Sequence, residues 1–400
     1  MATVLAIISC FFVTPGREYL SYINWRTLIL LFCLMAVVAG FAKAGVFRYI
    51  SRKLSQRMKD TRRLSVGFML LCFLLSMFVT NDVALVTVVP LTLLTMMGCS
   101  EKAKIQTLVQ ETIAANLGSM LTPFGNPQNL YLTSYYGIGM GEFLRLMLPY
   151  TGVALVILLL QTLISPKEGL GGRAREAGTP EGRVKEAAIP EGKNREAASL
   201  YESGENLTGK DEMYEEALRE KLLRSKGRLV SILLYGILFI VSMFSVARIL
   251  DYRILFGIIL ITILVYDRSV LRNVNYTLLL TFVSFFVLIG NLGAMTQIQA
   301  ALTQMIEGRE LLTAILSSQI ISNVPAAVLL SGFTDQGKAL IVGTDLGGLG
   351  TLIASMASII TFQLYSLESG AKKGKYLLTF TLWNVIDLVI LGAVDYCMMR

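Results

Sequence analysis

Apolar residues along this chain gather in long runs instead of recurring at the spacing of a half-buried surface helix. The runs lie near 25–45, 104–135, 143–164, 228–247, 254–266, 276–294, 338–366 and 375–398, with a shorter first stretch at 2–14. About 20 apolar residues, at 1.5 Å of rise each, cross roughly 30 Å of hydrocarbon, so the pattern predicts an all-α polytopic membrane protein. The first stretch reads as an uncleaved helix, because no Lys or Arg precedes its apolar run and no small-x-small cleavage pattern follows; a signal peptide is the alternative.

Two stretches do not fit single crossings. The run 65–97 is too long for one span, and basic residues flank both of its ends. It predicts a re-entrant hairpin with Thr80, Asn81 and Asp82 at its tip. A second, shorter hairpin over 311–332 would place Ser322, Asn323, Val324 and Pro325 at the corresponding tip. Polar, irregular backbone at membrane depth has to line a cavity or be buried in protein. Asn81 and Asn323 could instead be polar glue between helices. An ionised Asp82 near the membrane centre would cost several kcal/mol and marks a functional site by default.

Two further spans are interrupted. Between Gly118 and Asn129 lie Ser119, Thr122, Pro123, Gly125, Asn126 and Pro127, and the helix must unwind there. From Gly343 to Thr351 the chain holds four glycines with Thr344 and Asp345, continuing into Ser355 and Ser358. Each reads as a discontinuous helix, with glycine-rich turns between packed helices as the bland alternative. Unwound carbonyls with Asn, Thr and Asp oxygens suit a small hard cation, and half-helix N-termini suit an anion. Glu111 and Asp387 are weaker candidates.

These features recur in order. Asn24 with Trp25 parallels Asn275 with Tyr276 ahead of an apolar span; Thr80-Asn81 parallels Ser322-Asn323; Asn116-Leu117-Gly118 with Thr122 parallels Asp345-Leu346-Gly347 with Thr351. The chain therefore divides into a first membrane repeat (1–164, hairpin about 65–97, broken helix about 104–135) and a second (228–400, hairpin about 311–332, broken helix about 338–366). A charged linker, 165–227, separates them. It carries a ten-residue echo (Arg175-Glu176-Ala177 with Pro180-Glu181-Gly182, then Lys185-Glu186-Ala187 with Pro190-Glu191-Gly192), and 211–226 is its most helix-like part.

Charge sets the orientation. Over 165–228 thirteen basic residues cancel thirteen acidic ones, so the net +8 belongs to the membrane portion, where it reports topology and not nucleic-acid binding. The loop 46–63 holds Arg48, Arg52, Lys53, Arg57, Lys59, Arg62 and Arg63 and is assigned to the cytoplasm. Counting spans from it places Lys102, Lys104, the linker, Arg268, Arg272, Lys372, Lys373 and Lys375 inside. Arg17, Arg145, Arg248, Arg253, Arg309 and Lys338 fall outside. The two hairpins are then entered from opposite sides, which makes the repeats inverted.

Composition narrows the chemistry. Apolar residues make up 54% of the chain and mean hydropathy is +0.62. The absence of histidine removes the commonest metal ligand and the near-neutral proton carrier, which disfavours a membrane enzyme and leaves proton chemistry to carboxylates. The five cysteines are scattered and read as packing residues. No ATP-binding P-loop is present, and a passive channel would not need inverted broken helices.

Taken together, the Asn-bearing tips and Gly125-Asn126-Pro127-Gln128-Asn129 resemble the ion transporter superfamily, which includes divalent-anion/sodium symporters, citrate transporters, arsenite permeases and sodium/proton antiporters. The segment at 125–129 looks like that family's Gly-x-Pro-Pro-Asn break, and the tips like its Ser-Asn-Thr tips. The resemblance implies a homodimer with elevator-like motion, with the tips and breaks forming the substrate and sodium sites. Residue by residue it points to Thr80, Asn81, Ser119, Thr122, Asn126, Asn129, Ser322, Asn323, Thr351 and Ser355 for substrate, and to Asn81, Asp82, Gly118, Asn323, Thr344 and Asp345 for coupling Na⁺ or H⁺. No other cofactor is expected. The sequence departs from the dicarboxylate branch at Asp82, Val324, Gln128 and Asp345. Two ionised aspartates would repel a dianion by several kcal/mol at an effective dielectric near 20 unless cations or protons neutralised them. The expected function is cation-coupled movement of a small inorganic or organic anion, citrate-like, in the cell inner membrane. Na⁺/H⁺ exchange and arsenite export are its rivals.

Overall fold

The computed structural model describes residues 2–13, 15–55, 58–169 and 208–398. The echoed part of the linker lies outside these residues. Among them the regular structure is helical, with a single isolated bridge between Asp60 and Gly169.

In chain order the first half holds α1 (Ala2–Cys10), α2 (Tyr19–Tyr22), α3 (Trp25–Ala44), α4 (Val46–Ser55), α5 (Thr61–Ser76), α6 (Asn81–Thr95), α7 (Glu101–Ser119), α8 (Pro127–Tyr136) and α9 (Met140–Leu163). The second half holds α10 (Thr208–Val246), α11 (Tyr252–Tyr266), α12 (Tyr276–Ala294), α13 (Thr296–Ile306), α14 (Glu310–Ile321), α15 (Asn323–Ser331), α16 (Gly337–Leu346), α17 (Met356–Ser366) and α18 (Lys373–Met398). Short 3₁₀ turns sit at Arg268–Asn273 and Leu352–Ala354.

Five helices among the described residues are long and apolar enough to cross a membrane: α3, α9, Gly227–Val246 within α10, α12 and α18. Of the segments on either side of the four interruptions, α7 is long enough at 19 residues but too polar, and the others are shorter. The chain is an all-α polytopic membrane protein.

The third helix of each half starts with the same local device. Asn24 and Asn275 hold nearly equal backbone angles, and the side-chain oxygen of each accepts the amide three residues on, at 3.0 Å, capping α3 and α12. The breaks also have local causes. Pro127 occupies the first turn of α8, where its missing N–H costs nothing, and it holds Asn126 extended. The first tip, by contrast, is four residues long (77–80), whereas the second is Ser322 alone, at φ 74° and ψ 153°. That region is essentially reserved for glycine and costs a serine about 1–3 kcal/mol.

Packing places α7 at the centre. Every residue from Ile105 to Ser119 is buried, although the helix carries Gln106, Gln110, Glu111 and Asn116. A helix covered on all sides by protein can keep such groups where lipid would not, provided they find partners. Thr92 donates to Glu111 Oε1 at 2.6 Å, and Ser165 donates to Gln110 at 3.2 Å. The helices on each side of a break do not stay together: α8 leaves α7 to pack on α15 and α16, while α17 leaves α16 to pack on α6 and α7.

Charged side chains pair at two levels. Lys43 meets Asp267 at 2.5 Å and Lys104 meets Glu368 at 3.1 Å, all near segments assigned to the cytoplasm; Lys338 meets Glu142 at 2.6 Å at the opposite end. Residues 165–169, which the sequence assigns to the linker, are fastened between the starts of two helices. Thr61 N–H donates to Glu168 O at 2.9 Å, and Ser100 N–H donates to the Glu168 carboxylate at 2.9 Å.

The hydrogen bond from Lys43 holds the Asp267 carboxyl below its ordinary range, and Ser269 adds to the effect. Because the folded-state value is depressed, this stabilisation is present above the unfolded value of about 3.9 and is lost as pH falls through the folded one. Asp267→Asn is therefore expected to lower the melting temperature of the purified protein at pH 7, by an amount worth up to about 1 kcal/mol for a pair this exposed. The difference from wild type should shrink towards pH 3. An equal difference at both pH values would show that the carboxylate charge is not responsible.

Candidate functional site

The first tip and both breaks meet in two buried polar clusters, each built by a helix end from one half reaching a helix end from the other. In the first, Asn116, near the end of α7, accepts from Asn81 Nδ2 at 3.0 Å and from Ser355 Oγ at 3.0 Å, and donates to Ser358 Oγ at 3.4 Å. Asn81 opens α6, whereas Ser355 and Ser358 stand at the start of α17. All four are buried.

In the second cluster, Asp345 near the end of α16 takes the place that Asn116 has in the first. Its Oδ1 accepts from Asn126 Nδ2 at 3.4 Å and from Gln128 Nε2 at 3.2 Å, both at the start of α8. Asn126 and Ser355 stand at the same sequence offset as Asn116 and Asp345, and their backbones are alike (φ −133°, ψ 144° and φ −136°, ψ 134°). The two clusters thus have one plan with different charge, an amide at the hub of the first and a carboxylate at the hub of the second. Asp345 Oδ2 and Asn126 Oδ1 are buried without a partner of hydrogen-bonding geometry among the described residues, and Asn129 adjoins the same carboxylate.

Each tip asparagine also fastens its own helix start. Asn81 Oδ1 accepts from Asp82 N–H at 3.0 Å, and Asn323 Oδ1 accepts from Val324 N–H at 2.9 Å. Asn323 lies against Gly348, where an added Cβ would come within 3.0 Å of its amide nitrogen. Asp82 is half-buried, and its carboxylate makes no hydrogen bond or ion pair with any described residue.

The remaining residues singled out from sequence are placed differently. Thr80 and Asn126 share the lining of a cavity of about 20 Å³ with Phe78, Phe124 and Pro127. Thr122 donates to Met77 O at 2.6 Å, tying the first break to the first tip, and Ser322 donates to Ala354 O at 3.3 Å, which ties the second tip to the second break. Ser119 and Thr344 bond carbonyls of their own helices, at Asn116, Leu340 and Ile341. Gly118 packs against the end of α5. Thr351 is exposed, with its N–H and hydroxyl bonded to Gln319.

Sequence reasoning left three residues out of the site. Asn116 was a landmark of the repeat only, yet it is the hub of one cluster. Gln128 was noted as a departure from a family pattern, yet it is a donor to Asp345. Gln319 braces the second break by donating to Gly347 O and Leu349 O, both at 2.9 Å. For Asn116 a signal existed, since it stood opposite Asp345.

Oxygen-bearing side chains at broken helix ends are the ligand type that hard cations take, and the start of α8 directs its dipole's positive end toward the Asp345 cluster. A family model described as citrate transporter (CitMHS) matches residues 1–336. The chain belongs to the citrate transporter family. The matched region includes the Asn116 hub and stops just before α16, which carries Asp345. An uncharacterized transporter of Methanocaldococcus jannaschii is 30% identical over 382 residues, 94% of this chain and 90% of its own length. Inner membrane protein YbiR of Escherichia coli K12 is 29% identical over 354 residues, 87% of this chain and 82% of its own. A Dictyostelium discoideum protein carrying the name arsB is 28% identical over 152 residues, 38% of this chain and 27% of its own. The chain is a membrane transporter, and the resemblance drawn from the tips and breaks holds.

Proposed function

We propose that this transporter moves a small anion, citrate or another di- or tricarboxylate, together with Na⁺ or H⁺, by alternating access of the elevator type. The observation that carries the reading is the Asp345 cluster. A carboxylate buried at a helix break costs several kcal/mol when ionised. Its two amide bonds, at 3.4 and 3.2 Å, are at the long, weak end of the range. A bound cation or a proton supplies what they do not. In this reading the Asn81, Asn116 and Ser355 cluster binds the anion, with Asn323 and the half-helix amides, while Asp345 and the half-buried Asp82 take the coupling ion. The two halves are inverted repeats, each with a re-entrant hairpin and a broken helix. The protein works as a homodimer in the cell inner membrane, with the linker in the cytoplasm.

Purified protein in liposomes tests this. Labelled citrate is expected to accumulate only under an imposed Na⁺ or pH gradient, and Asn81→Ala and Asn323→Ala are each expected to reduce accumulation by about tenfold or more, the value of a buried amide hydrogen bond lost with its partner left unpaired. Accumulation independent of either gradient would remove the coupling. Ion exchange in the absence of any anion would favour the exchanger instead.

A further inference from the structure

A cleft of about 840 Å³ opens between α4 and α5, away from both polar clusters. Its floor is a stripe along α5, Val66, Gly67, Leu70, Leu71 and Leu74, and Leu163 at the end of α9 also lines it. Leu74 and Leu163 are more than half exposed, as is Tyr49 on α4. Among the described residues the near end carries three cations, Lys53, Arg62 and Arg63, and no acidic residue lines the cleft. Charge there is only partly compensated. Arg63 pairs with Asp60 at 3.5 Å, Arg62 Nε donates to Ser165 O at 3.1 Å, and Lys53 makes no ion pair with any described residue.

We infer that this cleft is a binding site for an anionic phospholipid, with the headgroup phosphate held by Lys53, Arg62 and Arg63 and an acyl chain laid along the Val66–Leu74 stripe. Three features fix the occupant. The volume lies within the roughly 300–1,000 Å³ of ordinary ligand sites. From Arg62 to Leu74 the helix rises roughly 18 Å, close to the ~15 Å depth of one leaflet. The cations sit at one end only, where a leaflet presents its phosphates, and basic pockets beside membrane helices on the cytoplasmic side bind such headgroups. A second copy of the chain would bring the same cations and no acidic complement from this surface. A soluble organic anion would have no use for the apolar stripe.

Native mass spectrometry of the full-length protein, titrated with phosphatidylglycerol and phosphatidylcholine of equal chain length, tests this. Phosphatidylglycerol is expected to be retained about 100-fold more strongly. The preference should fall by about fivefold for each cation removed, in Lys53→Gln/Arg63→Gln and in the triple variant with Arg62→Gln. The double variant keeps the Arg62 bond to Ser165 and so separates lipid binding from any loss of folding in the triple. Leu71→Trp, which fills the stripe and keeps the charges, should weaken both lipids. Equal retention of the two lipids, or an unchanged preference in the double variant, would overturn the assignment. So would a Leu74→Cys protein that cross-links to its own copy and excludes phosphatidylglycerol, since the cleft would then be a protein interface.

Discussion

Asp345→Asn is expected to reduce cation-driven anion accumulation in liposomes by roughly 100-fold, the loss of one charge-assisted ligand of about 1.5–3 kcal/mol, while the protein stays folded. The two effects separate because of what surrounds the side chain. Asparagine keeps an oxygen in the position of Oδ1, so Asn126 and Gln128 can still donate to it. It also removes an ionisable group buried at a helix break, and the melting temperature without added cation should be equal to or above that of wild type. What asparagine lacks is the charge that would hold Na⁺ or the site that would carry a proton. Stabilisation of the wild-type protein by the coupling ion should therefore disappear in the variant. Wild-type accumulation by Asp345→Asn would make Asp345 a packing residue and move the coupling ion to Asp82.

The comparison between halves makes this test specific. Asn116 stands where Asp345 stands and already has an amide at its hub, bonded at 3.0 Å to Asn81 and to Ser355. The cluster plan therefore tolerates a neutral hub. Any loss of transport in Asp345→Asn would report charge and not geometry.

How far this arrangement was legible in the sequence follows from which interactions are local. The caps by Asn24 and Asn275 and the stop enforced by Pro127 depend on residues within a few positions, and reading along the chain finds them. An interruption near 80 and one within 118–129 were legible for the same reason, although the tip read as Thr80, Asn81 and Asp82 falls earlier, at 77–80, with Asn81 and Asp82 already in the first turn of α6. The crossings were not. Whether Ser355 reaches Asn116 or points into its own half depends on how α17 is rotated after the break, and residue spacing carries no information on that rotation. Thr351 shows the cost: at matched spacing with Thr122 it looked like a ligand, but it is exposed and bonded to Gln319. Burial of α7 was equally hidden. Its polar residues would be unfavourable against lipid, and only the surrounding helices make Glu111 and Gln110 interior groups.

Gly118→Ala is expected to destabilise the protein by about 3 kcal/mol or more and to abolish transport, because the contact it violates cannot relax. A Cβ at Gly118 would lie 2.2 Å from the carbonyl oxygen of Phe73 and 2.6 Å from Ser76 Oγ. The first of these is backbone near the end of α5, so α7 and α5 would have to separate just where the first tip begins. Gly347 makes the matching approach in the second half, but to a side chain: its Cβ would lie 2.5 Å from Ser318 Oγ and 2.7 Å from Ser318 Cβ, with the Gly343 carbonyl oxygen at 2.8 Å. Ser318 precedes Asn323 by the same number of residues as Ser76 precedes Asn81. Removing the serine side chain should therefore have different consequences in the two halves. Ser318→Gly in the Gly347→Ala background is expected to restore part of the melting temperature, whereas Ser76→Gly should do little for Gly118→Ala because the Phe73 carbonyl remains. Gly257→Ala, in α11 with nothing within 4 Å of the added atom, supplies the baseline and should be neutral or stabilising by up to about 1 kcal/mol. Thermal melts of the five variants in one detergent decide the matter. A Gly118→Ala protein that melts with wild type would mean that the first tip is not seated on α7 as closely as its asparagine cluster requires.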